Sequence, residues 1–212
     1  MPYFAFRNEG ESSNRLATGH YQAFSSELFL YSVAALLKHQ RFEQLNELTN
    51  QGYYIPPTKN RSRSKLVTFV MFNEYPEALL GYFSNQRISK EEWKVVYLKE
   101  RLVESGFGYE DLVQADFVLH FISLLDTKLT EQYFHGFWIN QLDFDSYPSE
   151  LFIRSESKWF FERFAKCLRG VSKDEIKEFI NSYNKKLGES SYYYGRLDWE
   201  HIIALEKIAS QP

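Results

Sequence analysis

The chain has 212 residues, enough for one large domain or two small ones. Hydrophobic residues make up 44% and charged residues 25%, the balance of a globular protein, and a mean hydropathy of −0.44 is too low for a chain embedded in a bilayer. The formal net charge of −3 supplies no global field towards nucleic acid or an anionic membrane, so any such binding has to come from a local basic patch.

Aromatic residues reach 18%, the one unusual figure. Rings beyond the needs of one core would lie at the surface and favour a partner site, although the simpler expectation is that Phe replaces Leu in the core. Cys167 is the single cysteine, so no intrachain disulfide forms. This fits a reducing compartment, and we expect a cytoplasmic protein. Met1 to Arg7 lacks the apolar core of a signal peptide. The apolar stretch from Phe117 to Leu125 is interrupted by His120 and Ser123, and no stretch reaches the ~18 residues of a membrane span.

In chain order, residues 1–20 read as irregular, punctuated by Gly10, Ser12, Ser13, Asn14 and Gly19. A helix is expected after a Ser25 or Ser26 cap, apolar nearly all round through Leu37 and so buried on most sides. Arg41 to Gln51 forms a second helix with Phe42, Leu45 and Leu48 on one face and Gly52 as its stop. Pro56 and Pro57 break the helical pattern. The basic stretch Lys59, Arg61, Arg63 and Lys65 follows as a loop. Leu66 to Phe72 has strand-like composition but no obvious partner strand, and is read as a buried helix. Pro76 opens a helix through Phe83, and Ser89 and Glu92 form a capping box for a helix carrying Trp93, Val96, Tyr97 and Val103. Gly106 and Gly108 end it. Helices follow over Tyr109–Leu125, over Thr130–Leu142 and from Pro148 or Ser149 to Leu168, the last stopped by Gly170. Ser172 and Glu175 make a second capping box for an amphipathic helix through Leu187, and Asp198 caps a final helix to Ile208.

Five constellations could carry chemistry. Arg15 and His20 share the spacing of a helical ribonuclease pair, but Thr18 and Gly19 oppose the helix this needs. Asp116 and His120 lie four apart on one helix face and could orient a catalytic imidazole or ligate a metal. Ser123 and Thr127 continue that stripe, which reads as a narrow solvent edge. His135 sits among rings from Tyr133 to Trp138, more in keeping with packing than with a base-stacking site. Glu156-Ser157-Lys158 downstream of Asp143 and Asp145 has the skeleton of a metal-dependent nuclease site, on a segment that reads as helix rather than the strand such a site uses. Finally, Lys59, Arg61, Arg63 and Lys65, flanked by Tyr53 and Tyr54, could track phosphates while the rings stack on bases. Cys167 lies among apolar residues and reads as inert.

The sequence therefore points to a mainly α, compact multi-helix globular protein of eight or so helices, with at most a minor β element near Phe4 or Val67. Residues 1–55 read as an N-terminal helical subdomain and 66–212 as the main helical domain. The basic loop 56–65 lies between them, unless the two merge into one domain. No catalytic residues, cofactor or metal site is expected, because ligand spacings and phosphate-binding loops are missing. The leading functional expectation is a helical protein-interaction or regulatory protein that binds another protein or itself, with no membrane partner. The alternative is a nucleic-acid-binding or processing protein that uses Lys59, Arg61, Arg63 and Lys65 with Tyr53 and Tyr54.

Overall fold

A computed structural model describes residues 12–55, 65–73, 99, 106–126, 149–189 and 199–212. Among them are seven α-helices and a single two-stranded sheet, so the protein is mainly α. The helices are α1 (Ser12–Lys38), α2 (Phe42–Asn50), α3 (Tyr109–Leu125), α4 (Glu150–Arg154), α5 (Lys158–Phe164), α6 (Lys173–Glu189) and α7 (Trp199–Ile202). The strands are β1 (Tyr53–Ile55) and β2 (Lys65–Val67).

The first helix corrects the reading of the N-terminal segment. It begins at Ser12, and Thr18, Gly19, Ser25 and Ser26 all lie within it. Weak local propensity at those positions is outweighed by packing along the 27-residue helix, whose main neighbour is α3. Nor is α1 buried all round. Val33, Ala34 and Leu37 are buried, while Phe24 and Leu28 are exposed one turn apart. Its end is a left-handed turn at Gln40, where Gln40 N–H donates to Leu37 O and Arg41 N–H to Leu36 O.

The helix expected over Leu66–Phe72 is also corrected. Lys65–Val67 pairs antiparallel with Tyr53–Ile55 in the register Tyr53↔Val67, Tyr54↔Leu66, Ile55↔Lys65, and a 3₁₀ turn covers Phe69–Asn73. The β-branched and aromatic composition was the better guide, and the partner strand lay across the Pro-Pro segment. Gly52 is not a left-handed helix stop. A Cβ there would meet the Leu66 side chain at 2.6 Å, so glycine lets the neighbouring strand close over it.

The single helix expected from Ser149 to Leu168 is interrupted between Arg154 and Lys158. Ser155 turns its hydroxyl back onto Leu151 O, and Ser157 caps α5 by accepting from Phe160 N–H. The C-terminal segment occupies the break: Ala209 N–H donates to Ser155 O, Gln211 N–H to Glu156 O and Lys158 N–H to Gln211 O. Those bonds fix the tail beyond a left-handed turn at Ala209, φ 52°, and α7 ends at Ile202, followed by a 3₁₀ turn over Leu205–Lys207, instead of continuing to Ile208. The Ser172 capping box forms as expected, with Ser172 N–H and hydroxyl on the Glu175 carboxylate and Glu175 N–H on the Ser172 hydroxyl. Gly108 opens α3, donating its N–H to the Asp111 carboxylate. The helices expected over 77–83, 93–103 and 130–142 fall wholly or almost wholly outside the described residues.

The core is built from rings. Trp199 packs on Phe117 and Phe121 of α3, these pack on Phe152 of α4, Phe152 on Phe164 of α5, and Phe164 on Phe42 of α2, all with centroids 5.3–5.9 Å apart. A second group, Phe29, Phe69, Phe72 and Tyr53, fastens the strands and 3₁₀ turn to α1. At the described positions, aromatic residues mostly do the work of Leu in the core. Phe164 is fully buried at the junction of three ring contacts, so Phe164→Ala should cost about 3–5 kcal/mol. The measurement is the denaturant midpoint. A loss below 1 kcal/mol would mean the ring path is not the core.

Candidate functional site

The six residues expected to meet an anionic partner are placed unevenly. Lys59, Arg61 and Arg63 lie outside the described residues. Lys65 begins β2 opposite Ile55, so residues 56–64 join two paired strands. Tyr53 is half-buried: its ring meets Phe29 and Phe72 edge-on, and its hydroxyl donates to Leu48 O at 2.6 Å. Burial raises its pKa, partly offset by the hydrogen bond from Gln51. Tyr54 is directed to the other side of the ribbon, 59% exposed, beside its register partner Leu66 at 70%.

Arg15 and His20 both lie on α1, contrary to the helix-breaking argument made from Thr18 and Gly19. Asp116 and His120 share a face of α3, but the solvent-edge reading is overturned there. Asp116 is 1% exposed and Ser123 is equally buried. His120 stacks on Trp199 with centroids 5.9 Å apart, and Ser123 donates to His120 O. Glu156 lies in the break between α4 and α5, with Ser157 bridged to Gln211, so this segment is not the helix the sequence suggested. Glu156 is taken up by Lys207 at 3.4 Å and by the Gln211 amide, and Lys158 stands 4.0 Å from Glu162. Asp143, Asp145 and the His135 cluster lie outside the described residues. Cys167 is wholly buried and its thiol donates to Phe164 O, and burial drives its pKa well above the ordinary thiol range. Among the described residues no three His, Cys, Asp or Glu side chains converge as metal ligands, and no helix is long and apolar enough to cross a membrane.

Two arrangements that the sequence reading passed over come from the α2–α5 side. The first is an exposed ring with a cation on it. Trp159, on the first turn of α5, is 61% exposed, and the Arg163 guanidinium one turn later lies 4.5 Å from its ring centre. Arg163 also reaches the Phe42 ring and donates to the Gln40 amide oxygen at 3.2 Å. Arg154 lies 4.5 Å over Phe160. The four-residue spacing of Trp159 and Arg163 was the available signal, but only the structure shows that this face is uncovered.

The second is a polar cleft of about 520 Å³ lined by Glu43, Asn46, Glu47, Asn50, Lys166, Arg169 and Gly170. Three of its four charged side chains, Glu43, Lys166 and Arg169, are already engaged. Lys166 meets Glu43 at 2.6 Å, which lowers the pKa of that carboxyl through the hydrogen bond and the charge. Arg169 bridges the ends of two helices, reaching Asp126 after α3 at 3.1 Å and Thr49 and Asn50 at the end of α2. Burial lowers the Arg169 pKa while Asp126 opposes the shift, so the guanidinium stays charged. No group here is poised as nucleophile or base, and the arrangement is that of a clamp.

The chain matches no protein-family model, and comparison with curated proteins and with solved structures returns no significant match.

Arg169 carries this clamp on a left-handed backbone, φ 68°, which costs roughly 1 kcal/mol in a residue with a Cβ. Arg169→Ala should destabilise by roughly 2–3 kcal/mol, since it removes the ion pair with the partly buried Asp126 and the hydrogen bonds to the end of α2. Arg169→Gly loses the same contacts but relieves the backbone, and should retain about 1 kcal/mol more. Chemical denaturation of the pair checks the order; glycine less stable than alanine would refute it.

Proposed function

We propose that this protein is an interaction or regulatory module that presents a ring-bearing surface to another protein, either a partner or a second copy of itself. The observation that carries the reading is Trp159. It is a large apolar ring 61% exposed on a short, capped helix, and it is braced by Arg163 instead of being folded into the core. Tryptophan and arginine are the residues most enriched where a few side chains dominate binding energy. Isolated exposed apolar residues are ordinary, but a tryptophan held in one orientation by a cation has already lost much of the freedom that binding would remove.

The test is Trp159→Ala. Because the ring is mostly exposed, stability should change by no more than about 0.5 kcal/mol. Tagged chain recovered from its own cells in high salt should carry a stoichiometric partner, or a second copy, that the variant loses. Equal recovery by wild type and variant would remove the reading.

A second reading is favoured by the ribbon. The basic segment with Lys59, Arg61 and Arg63 joins strands whose outer face carries the exposed pair Tyr54 and Leu66. Cations on a connection beside an uncovered ring match single-stranded nucleic-acid binding. Arginine forks onto phosphate, so Arg61 and Arg63 should contribute more than Lys59 and Lys65. Arg61→Ala with Arg63→Ala should leave the melting temperature nearly unchanged while reducing the salt dependence of oligonucleotide binding by about two charges. Unaltered affinity and salt slope in the folded double variant would defeat it.

A further inference from the structure

We infer that the surface around Trp159 takes an acidic segment of another protein, seating its carboxylates on Arg154 and Arg163 and an apolar side chain against the Trp159 ring. The inference rests on the protein-interaction reading above and specifies the chemistry of the partner. It begins with where the positive charge is free. Lys38, Lys166, Arg169, Lys177 and Lys207 each meet a carboxylate, at Asp111, Glu43, Asp126, Glu206 and Glu156. Among the described residues Arg41, Arg154 and Arg163 form no ion pair; the last two lie on aromatic rings, and the Arg163 charge also helps to lower the Glu43 pKa.

The two guanidiniums are linked through a pair of buried rings, Phe160 and Phe42, 4% and 2% exposed. Arg154 lies over Phe160, the Phe160 ring meets Phe42 at 5.7 Å, and Arg163 reaches Phe42 at 6.0 Å and Trp159 at 4.5 Å. A guanidinium lying on a ring keeps N–H groups for a planar, two-oxygen acceptor and is held there before any partner arrives; Arg163 gives one of its N–H groups to the Gln40 amide oxygen and retains the others. Two guanidiniums held on rings, one of them on an exposed tryptophan, are complementary in charge to carboxylates next to an apolar side chain.

Nearby carboxylates favour a protein over a nucleic acid. Glu162 follows Trp159 on α5, 4.0 Å from Lys158, and Glu43 stands beyond Arg163 in its pair with Lys166. A polyphosphate laid across this face would meet both. Discrete carboxylates of a protein segment can reach the arginines and avoid them.

The experiment is fluorescence polarisation with the full chain. The probes are a labelled peptide alternating glutamate with phenylalanine, the same peptide with glutamine for glutamate, and oligothymidylate. The glutamate peptide should bind saturably, and the glutamine peptide at least about tenfold more weakly. Trp159→Ala should weaken binding by roughly tenfold or more, as should Arg154→Ala with Arg163→Ala. Arg163→Lys, which keeps the charge but not the fork, should recover only part of the loss. Glu162→Gln should tighten binding. Circular dichroism confirms that each variant is folded. If the glutamine peptide binds equally well and Trp159→Ala abolishes it, the acidic partner is refuted while the interaction reading stands. If no peptide binds, the inference is refuted, and the recovery experiment of the preceding section judges the interaction reading separately. If oligothymidylate binds and the double arginine variant loses it, the partner class is nucleic acid and the inference fails.

Discussion

Phe152 touches rings on three sides, Phe117 and Phe121 from α3 and Phe164 from α5, and much of the described structure depends on that meeting point. Helix α4, which carries it, has five residues. A helix that short has no stability of its own, because nucleation costs more than a single turn returns. It exists because Phe152 and Leu151 are buried and because Ser149 N–H is fixed to Ile202 O. The same constraint decides where α5 starts. With Phe152 held from one side and Phe160, Phe161 and Phe164 buried from the other, the chain between them has to turn, and Ser155 and Ser157 supply hydroxyls to satisfy the turn. Trp159 is exposed as a consequence. It occupies the face of α5 left over once the phenylalanines have entered the core.

The break between α4 and α5 would cost unsatisfied backbone groups if it faced only protein side chains. The C-terminal segment takes them instead, through bonds at residues 155, 156 and 158. Lys173 on α6 then donates to Glu206 O and Ile208 O from the other side. Each partner is remote in sequence, so removing the tail would be felt at α5. At the other edge of α5, Arg169 ties the ends of α2 and α3 to the turn that follows. The polar cleft beside it is the hollow left by that tie, and its charged side chains face one another across it.

Much of the helical architecture was legible in the residues. The Ser172 box needs only local hydrogen bonds and formed where the spacing placed it. Helix α3 matched the range read for it because eleven of its seventeen residues are apolar and ten of the seventeen are buried along it. The failures share one cause, a decisive partner far away in sequence. Lys65–Val67 became a strand through Tyr53–Ile55 across a connection that composition alone reads as a separator. Thr18 and Gly19 are poor helix formers, yet they lie within α1. Asp116 and Ser123 continue a polar stripe that looks like a wet edge, but packing on both sides of α3 closes over it. The candidate surface failed to show for a related reason. Trp159 and Arg163 read as two more members of an apolar, charged helix until their exposure is known.

What distinguishes the α5 surface is how little order binding has to create there. On the ribbon, Tyr54 and Leu66 are uncovered, and among the described residues no cation lies on the Tyr54 ring. On α5 the side chains are already held. Arg163 is held by Gln40, Phe42 and Trp159 together, and Arg154 by Phe160. Gln40 can do this because it occupies the left-handed position that ends α1, a place glycine usually fills. Glycine there would relax the backbone but release the arginine. Gln40 is one of four non-glycine residues at positive φ among the described residues, and here the strained position aims its amide oxygen at Arg163.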